Sequence, residues 1–177
     1  SEQHGYMEAV GFNYYMSLLE KTVSELKGEE KEDVKSEINM KLDMRIPENY
    51  LPQINLRLNL YKRISSAEGP EELNRIHEEI IDRYGPLPHS VVNLLRYGMI
   101  KLLAQRIRIQ KIDRIGRKII FRFLPSSQAD VSRMTELFEK YTGSITPQGT
   151  MSIELTSDGE TKLLDETISI LKELSQV

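Results

Sequence analysis

Ile112-Asp113-Arg114-Ile115-Gly116-Arg117-Lys118-Ile119-Ile120-Phe121-Arg122-Phe123-Leu124 is the stretch whose reading decides the fold. Two arms rich in β-branched and aromatic residues flank a single glycine, which predicts a hairpin over Ile112 to Ile115 and Ile119 to Leu124. Downstream, Ser144 to Thr146 and Met151 to Thr156 frame Pro147-Gln148-Gly149 as a second hairpin. Between the hairpins, Ser126 or Ser127 caps a helix carrying Val131, Met134, Leu137, Phe138 and Tyr141. A last helix follows with Leu163, Leu164, Ile168, Leu171 and Leu174 at helical spacing.

Upstream of the first hairpin the period changes. From Val34 to Ile46 apolar and polar residues alternate, with Val34, Ile38, Met40, Leu42, Met44 and Ile46 on one face, as in a half-buried strand. Ile54 to Leu60 also alternates, but its continuation through Tyr61, Ile64 and Ala67 without a turn signal predicts a helix. Gly69-Pro70-Glu71-Glu72 starts a second helix, with proline at its first position and acids at its positive end. Leu73, Ile76, His77, Ile80, Ile81 and Tyr84 form its apolar face, and Gly85-Pro86 stops it. A third runs from near Pro88 to about Ile107, where Gly98 implies a close neighbour. The order is strand, three helices, then two β-hairpins each followed by a helix. This is an α+β fold, a small mixed sheet packed by helices.

The chain of 177 residues is 39% hydrophobic and 29% charged, so it can bury a core. Its longest apolar runs, such as Val91 to Leu95 broken by Asn93, fall far short of the roughly 20 residues a membrane span needs, so no membrane contact is expected. The lack of cysteine excludes disulfides and thiolate ligands and favours a cytoplasmic location. His4, His77 and His89 have no metal-ligand spacing, and His77 reads as a packed structural histidine. No glycine-rich phosphate loop and no G-x-S-x-G turn occurs. No catalytic residue, metal or cofactor is expected in this chain.

Charge is uneven. The first residues carry Met7, Val10, Tyr14, Leu18, Val23 and Leu26 at helical spacing, followed between Glu25 and Glu37 by six carboxylates against three lysines. Residues 1–31 are therefore read as a helix and acidic linker belonging to an upstream lobe, and 32–177 as the main domain. Lys101, Arg106, Arg108, Lys111, Arg114, Arg117, Lys118 and Arg122 form a basic stretch interrupted only by Asp113 among charged residues. Arg106, Arg108, Lys111, Arg114 and Lys118 are the candidate nucleic-acid contacts, because lysines and arginines along one face release counterions from a phosphate backbone. The competing explanation is structural. Cations complement the end of a helix dipole and line the outer face of a hairpin, and no aromatic residues interleave to stack bases. Finally, Glu78, Glu79 and Asp82 with Arg75 and Arg83 form an exposed helix face with Arg75/Glu79 and Glu79/Arg83 pairs. Surface pairs contribute only about 0 to 1 kcal/mol, so this face is free to meet a partner.

Three motifs in order carry a resemblance: Ile46-Pro47-x-x-Tyr50-Leu51-Pro52, then Arg57-Leu58-x-x-Tyr61-Lys62-Arg63-Ile64, then Glu79-Ile80-Ile81-Asp82-Arg83-Tyr84-Gly85-Pro86-Leu87-Pro88. They resemble the C-terminal domain of bacterial transcription-repair coupling factors. Gln3-His4-Gly5 and Val10-Gly11-Phe12-x-x-Tyr15-Met16-x-x-Leu19-Glu20 are similar to the end of that family's translocase lobe. The resemblance implies a parent that is an ATP-dependent DNA translocase, with ATP and magnesium held by motor domains elsewhere. Such a parent binds double-stranded DNA and stalled RNA polymerase, displaces the polymerase and recruits excision repair. It further implies that the C-terminal domain packs on the N-terminal repair module of the same protein and masks that module's surface for the lesion-recognition protein. Glu79 and Asp82 match the carboxylates that meet the module, and Gln3 matches a translocation-motif glutamine. An accessory nucleic-acid-binding module using residues 101–122 stays open as the alternative.

Overall fold

The computed structural model describes residues 34–175. Its elements are β1 (Glu37–Asn39), α1 (Ile54–Ser65), α2 (Pro70–Tyr84), α3 (His89–Arg106), β2 (Ile109–Ile115), β3 (Lys118–Phe123), α4 (Val131–Lys140), β4 (Gly143–Ile145), β5 (Thr150–Glu154) and α5 (Glu160–Leu174). The expected α+β order is therefore present. The expected N-terminal helix, the acidic linker and Gln3 lie outside the described residues. The chain divides into two units, residues 41–99 and residues 34–40 with 100–175.

In the unit that contains the sheet, the strand order is β1-β2-β3-β5-β4. β1 pairs with β2 in parallel, and the remaining pairs are antiparallel. Gly116, at φ 62°, supplies the left-handed residue that turns β2 into β3. Alternation sorts the side chains: Ile112, Ile119, Phe121, Met151 and Ile153 are completely buried, whereas Lys118, Arg122 and Glu154 point to solvent. Leu164, Thr167, Leu171 and Leu174 bury the inner stripe of α5, and the Asp130 amide donates to the Leu174 carbonyl, tying the start of α4 to the end of α5.

The strand expected over Val34 to Ile46 is much shorter than its alternation. Burial does alternate through Ser36, Ile38 and Met40, and again at Met44 and Ile46, but hydrogen-bonded pairing covers three residues only. Lys41 adopts φ 56°, a left-handed conformation that turns the chain out of the ladder. The cap of α4 also differs from expectation. Asp130, not Ser126 or Ser127, accepts the Ser132 amide at 3.0 Å. Ser127 instead donates to the Ile107 carbonyl at 2.5 Å, holding the loop that precedes the helix. Val131, expected on the apolar face of α4, is 72% exposed.

In the 41–99 unit, Leu60, Ile64, Leu73, Ile76, Ile80, Val91 and Leu94 form the core among α1, α2 and the first part of α3. The helix start expected at Gly69-Pro70 and the stop at Gly85 are both present, with Gly85 at φ 87°. A Cβ added to Gly98 would approach Ile64 and Leu73 side chains to 3.1 Å, the close neighbour its position implied.

Two outcomes are expected for the sheet unit. A Cβ on Gly143 would lie 2.4 Å from the Ser152 carbonyl oxygen and against the Phe138 ring, so Gly143→Ala should destabilise the protein by about 1–3 kcal/mol, read as a lowered denaturation midpoint. Glu166 accepts hydrogen bonds from the amides and hydroxyls of both Thr156 and Ser157. Partial burial pushes its carboxyl up, but these four bonds outweigh burial and hold it below the usual carboxylate range. A depressed folded value means that this stabilisation is complete above the unfolded carboxylate value and is lost as pH falls through the folded one. Glu166→Gln should therefore flatten the acid limb of the stability profile measured by denaturant titration across pH 2 to 6, a window set by roughly the ordinary carboxylate range.

Candidate interdomain contact surface

The motif residues of the 41–99 unit form a lattice around an irregular stretch. Pro47 opens a turn whose carbonyl accepts the Tyr50 and Leu51 amides. Tyr61, in the middle of α1, accepts the Ile46 amide on its hydroxyl at 2.6 Å. Arg57, one turn earlier, donates to the Leu51 and Pro52 carbonyls at 2.8 Å each. The Tyr50 hydroxyl donates to the Gly85 carbonyl at 2.9 Å, and its ring meets Tyr84 edge-on at 6.2 Å. The Arg83 guanidinium lies 5.5 Å above the Tyr84 ring. Of these contacts, those of Tyr50 with Tyr84 and Gly85 tie the irregular stretch to the C-terminal end of α2, beyond Glu79 and Asp82.

Glu79 and Asp82 lie within one turn of α2, on a surface-facing stripe. Their surroundings differ. Arg63, from the last turn of α1, grips Glu79 with both terminal nitrogens, at 3.1 Å to Oε1 and 2.6 Å to Oε2. Arg83 adds a longer contact to Oε1 at 3.4 Å. The hydrogen bond from Arg63 is the main reason the Glu79 carboxyl sits below its ordinary value, and the same bond raises the Arg63 guanidinium. With side chains 39% and 36% exposed, the pair stands at the surface, where solvent screens it. Asp82 is exposed, and so is Ile81, at 44%, although Ile81 was expected on the buried stripe. His77 is half-buried on that helix.

Of the two expected pairs, Glu79/Arg83 is present and Arg75/Glu79 does not form, while the dominant partner, Arg63, comes from another helix. Sequence spacing carries no signal for a contact 16 residues apart across a helix hairpin. The pairing of Arg63 with a motif in α1 was the nearest hint.

The basic stretch is spread over several settings. Arg106 ends α3 and is exposed, and Arg108 donates to the Ser126 hydroxyl at 2.8 Å. Lys111 lies between Glu37 and Asp113, at 3.7 Å from each. Arg114, on the opposite face of β2, donates to the Met40 and Gly116 carbonyls, and burial lowers its pKa. Lys118 is exposed on β3, Arg117 pairs with Asp158, and Lys101 is buried. No cluster of histidine and carboxylates suited to a metal occurs among the described residues, and no described helix is long and apolar enough to cross a membrane.

A small mixed sheet with two helices, preceded in sequence by three helices of which one presents an acidic stripe, defines an α+β domain. The TRCF domain model matches residues 40–134, and the chain belongs to that family. The transcription-repair-coupling factor of Haemophilus influenzae is 33% identical over 146 residues, covering 79% of this chain and 13% of the relative. That of Escherichia coli is 32% identical over 145 residues, and that of Bacillus subtilis is 29% identical over 186 aligned positions that cover all of this chain and 16% of the relative. The chain thus spans between an eighth and a sixth of these relatives. A solved C-terminal domain of transcription-repair coupling factor has the same fold, with a TM-score of 0.72 at 18% identity, covering 80% of this chain and 92% of that one.

Titrating the Glu79 carboxyl by NMR should give a midpoint below the ordinary carboxylate range, and Arg63→Gln should move it upward. A midpoint unchanged by Arg63→Gln would mean that the pair does not form in solution.

Proposed function

We propose that this chain is a non-catalytic regulatory domain of a transcription-repair coupling factor, and that its α2 stripe packs on the N-terminal repair module of the same protein. Packing there masks the module's surface for the lesion-recognition protein until the domain is released. The observation that carries the reading is Asp82 with Ile81 exposed beside it, on the segment matching the family motif, held in place by the Tyr50–Gly85 and Arg57 contacts. A carboxylate beside an accessible aliphatic side chain suits an arginine-bearing surface, which offers both a cation and an apolar stem.

On this reading the parent displaces stalled RNA polymerase from double-stranded DNA and recruits nucleotide excision repair in the cytoplasm. ATP and magnesium serve its motor domains, and this chain contributes control. A polar interface with coupling of about 1–3 kcal/mol holds the module yet yields to a conformational trigger.

In the full-length coupling factor, combined Glu79→Lys and Asp82→Lys should raise affinity for the lesion-recognition protein by about fivefold to 150-fold, the equivalent of that coupling. Affinity equal to wild type by titration calorimetry would overturn the reading, and so would ATPase activity of this chain alone.

A further inference from the structure

Glu79 is already occupied. A carboxylate offers two oxygens in one plane, and Arg63 takes both in a fork, with Arg83 adding a third contact to Oε1. A guanidinium arriving from a partner cannot make the same two-bond geometry while Arg63 stays. Asp82, one turn on, is exposed and enters no such fork among the described residues. Glu79 and Asp82 are therefore not equivalent: Asp82 is exposed, and Glu79 is held by the chain itself.

We infer that Arg63 competes with the partner's cation for Glu79 and so limits how tightly this surface holds its partner. This rests on the proposed packing of the α2 stripe against the N-terminal module. The pair is built to be exchanged. Both side chains are more than a third exposed, and a screened surface pair opens at little cost. Arg63 also belongs to α1, so when Glu79 turns to a partner the fork between α1 and α2 is lost. The release that follows restores it, which keeps the closed arrangement from becoming permanent. Asp82 makes the first contact, and Glu79 is the acid whose internal bond sets the balance.

Apparent affinity for a ligand that needs the open form falls by the factor by which closure is strengthened. In the full-length coupling factor, Arg63→Gln should therefore weaken binding of the lesion-recognition protein by about threefold to fivefold, the worth of one surface pair. Arg63→Lys, which keeps the charge and loses the fork, should give a smaller change in the same direction. Lys62→Gln removes a positive charge from the residue beside Arg63 in the last turn of α1 and should leave binding within about twofold, which separates competition for Glu79 from a general field effect. In an Glu79→Gln background, Arg63→Gln should have no further effect. Thermal denaturation of each variant monitors folding.

Binding unchanged or strengthened by Arg63→Gln, with folding intact, overturns the competition, strengthened binding meaning that Arg63 positions Glu79 for the partner instead. An equal effect of Lys62→Gln overturns it as well. If the Glu79→Lys and Asp82→Lys protein also binds like wild type, the packing reading itself has failed and this inference falls with it.

Discussion

Residues 46–52 impose the constraint on which the 41–99 unit depends. Two prolines keep this stretch out of any helix or strand, yet Ile46 and Leu51 are buried, so their backbone groups must find partners without a ladder. Side chains supply them. Tyr61 receives the Ile46 amide, Arg57 covers the Leu51 and Pro52 carbonyls, and Tyr50 reaches forward to the end of α2. A buried carbonyl or amide left unpaired costs about 1–3 kcal/mol, so each of these residues is tied to its position by backbone that would otherwise go unsatisfied. The orientation of α2, and of the acids it presents, follows from this accounting.

On the α2 surface, the atoms that make an internal contact are the same ones that the proposed packing would use to meet a partner. A carboxylate spent on an internal fork adds little to stability at an exposed site, yet it shapes which cations from outside can be met. The α2 stripe combines one such engaged acid, one exposed acid and one exposed isoleucine within four residues. The basic stretch behaves differently. Its members are distributed over a helix end, a turn and both faces of β2, several of them bonded to neighbouring carbonyls or carboxylates.

Much of the fold was legible because local signals sufficed: the proline start and glycine stop of α2, the Gly116 turn, and the helical period through α5 each act within a few residues. What sequence did not reveal depended on distant or subtle geometry. Alternation from Val34 to Ile46 reports burial at Ile38, Met40, Met44 and Ile46, with Val34 and Leu42 half-buried, but ladder formation also needs a partner strand, and Lys41 turns away after three residues. Three polar residues near α4 could each have capped it, and only the loop's attachment through Ser127 to Ile107 left Asp130 in place. Ile81 falls at the margin of the apolar stripe of α2, where period alone cannot say how far a neighbour extends. On the α2 stripe, Glu79 and Asp82 were named through family resemblance, while their inequivalence needed the reach of Arg63.

The parallel pairing of β1 with β2 joins residues far apart in the chain, with the Ser36 hydroxyl bonded to the Ile109 carbonyl across 73 positions. The whole 41–99 unit is thus threaded, in sequence, between the first strand and the rest of its sheet. Closing a long loop costs entropy that grows only as the logarithm of its length, and a loop that is itself folded is shorter in effect than its residue count. Local contacts form ahead of distant ones, so β1 is expected to join the sheet after its hairpins have formed. β1, one of the two edge strands, thus makes the pairing of greatest sequence separation in the sheet.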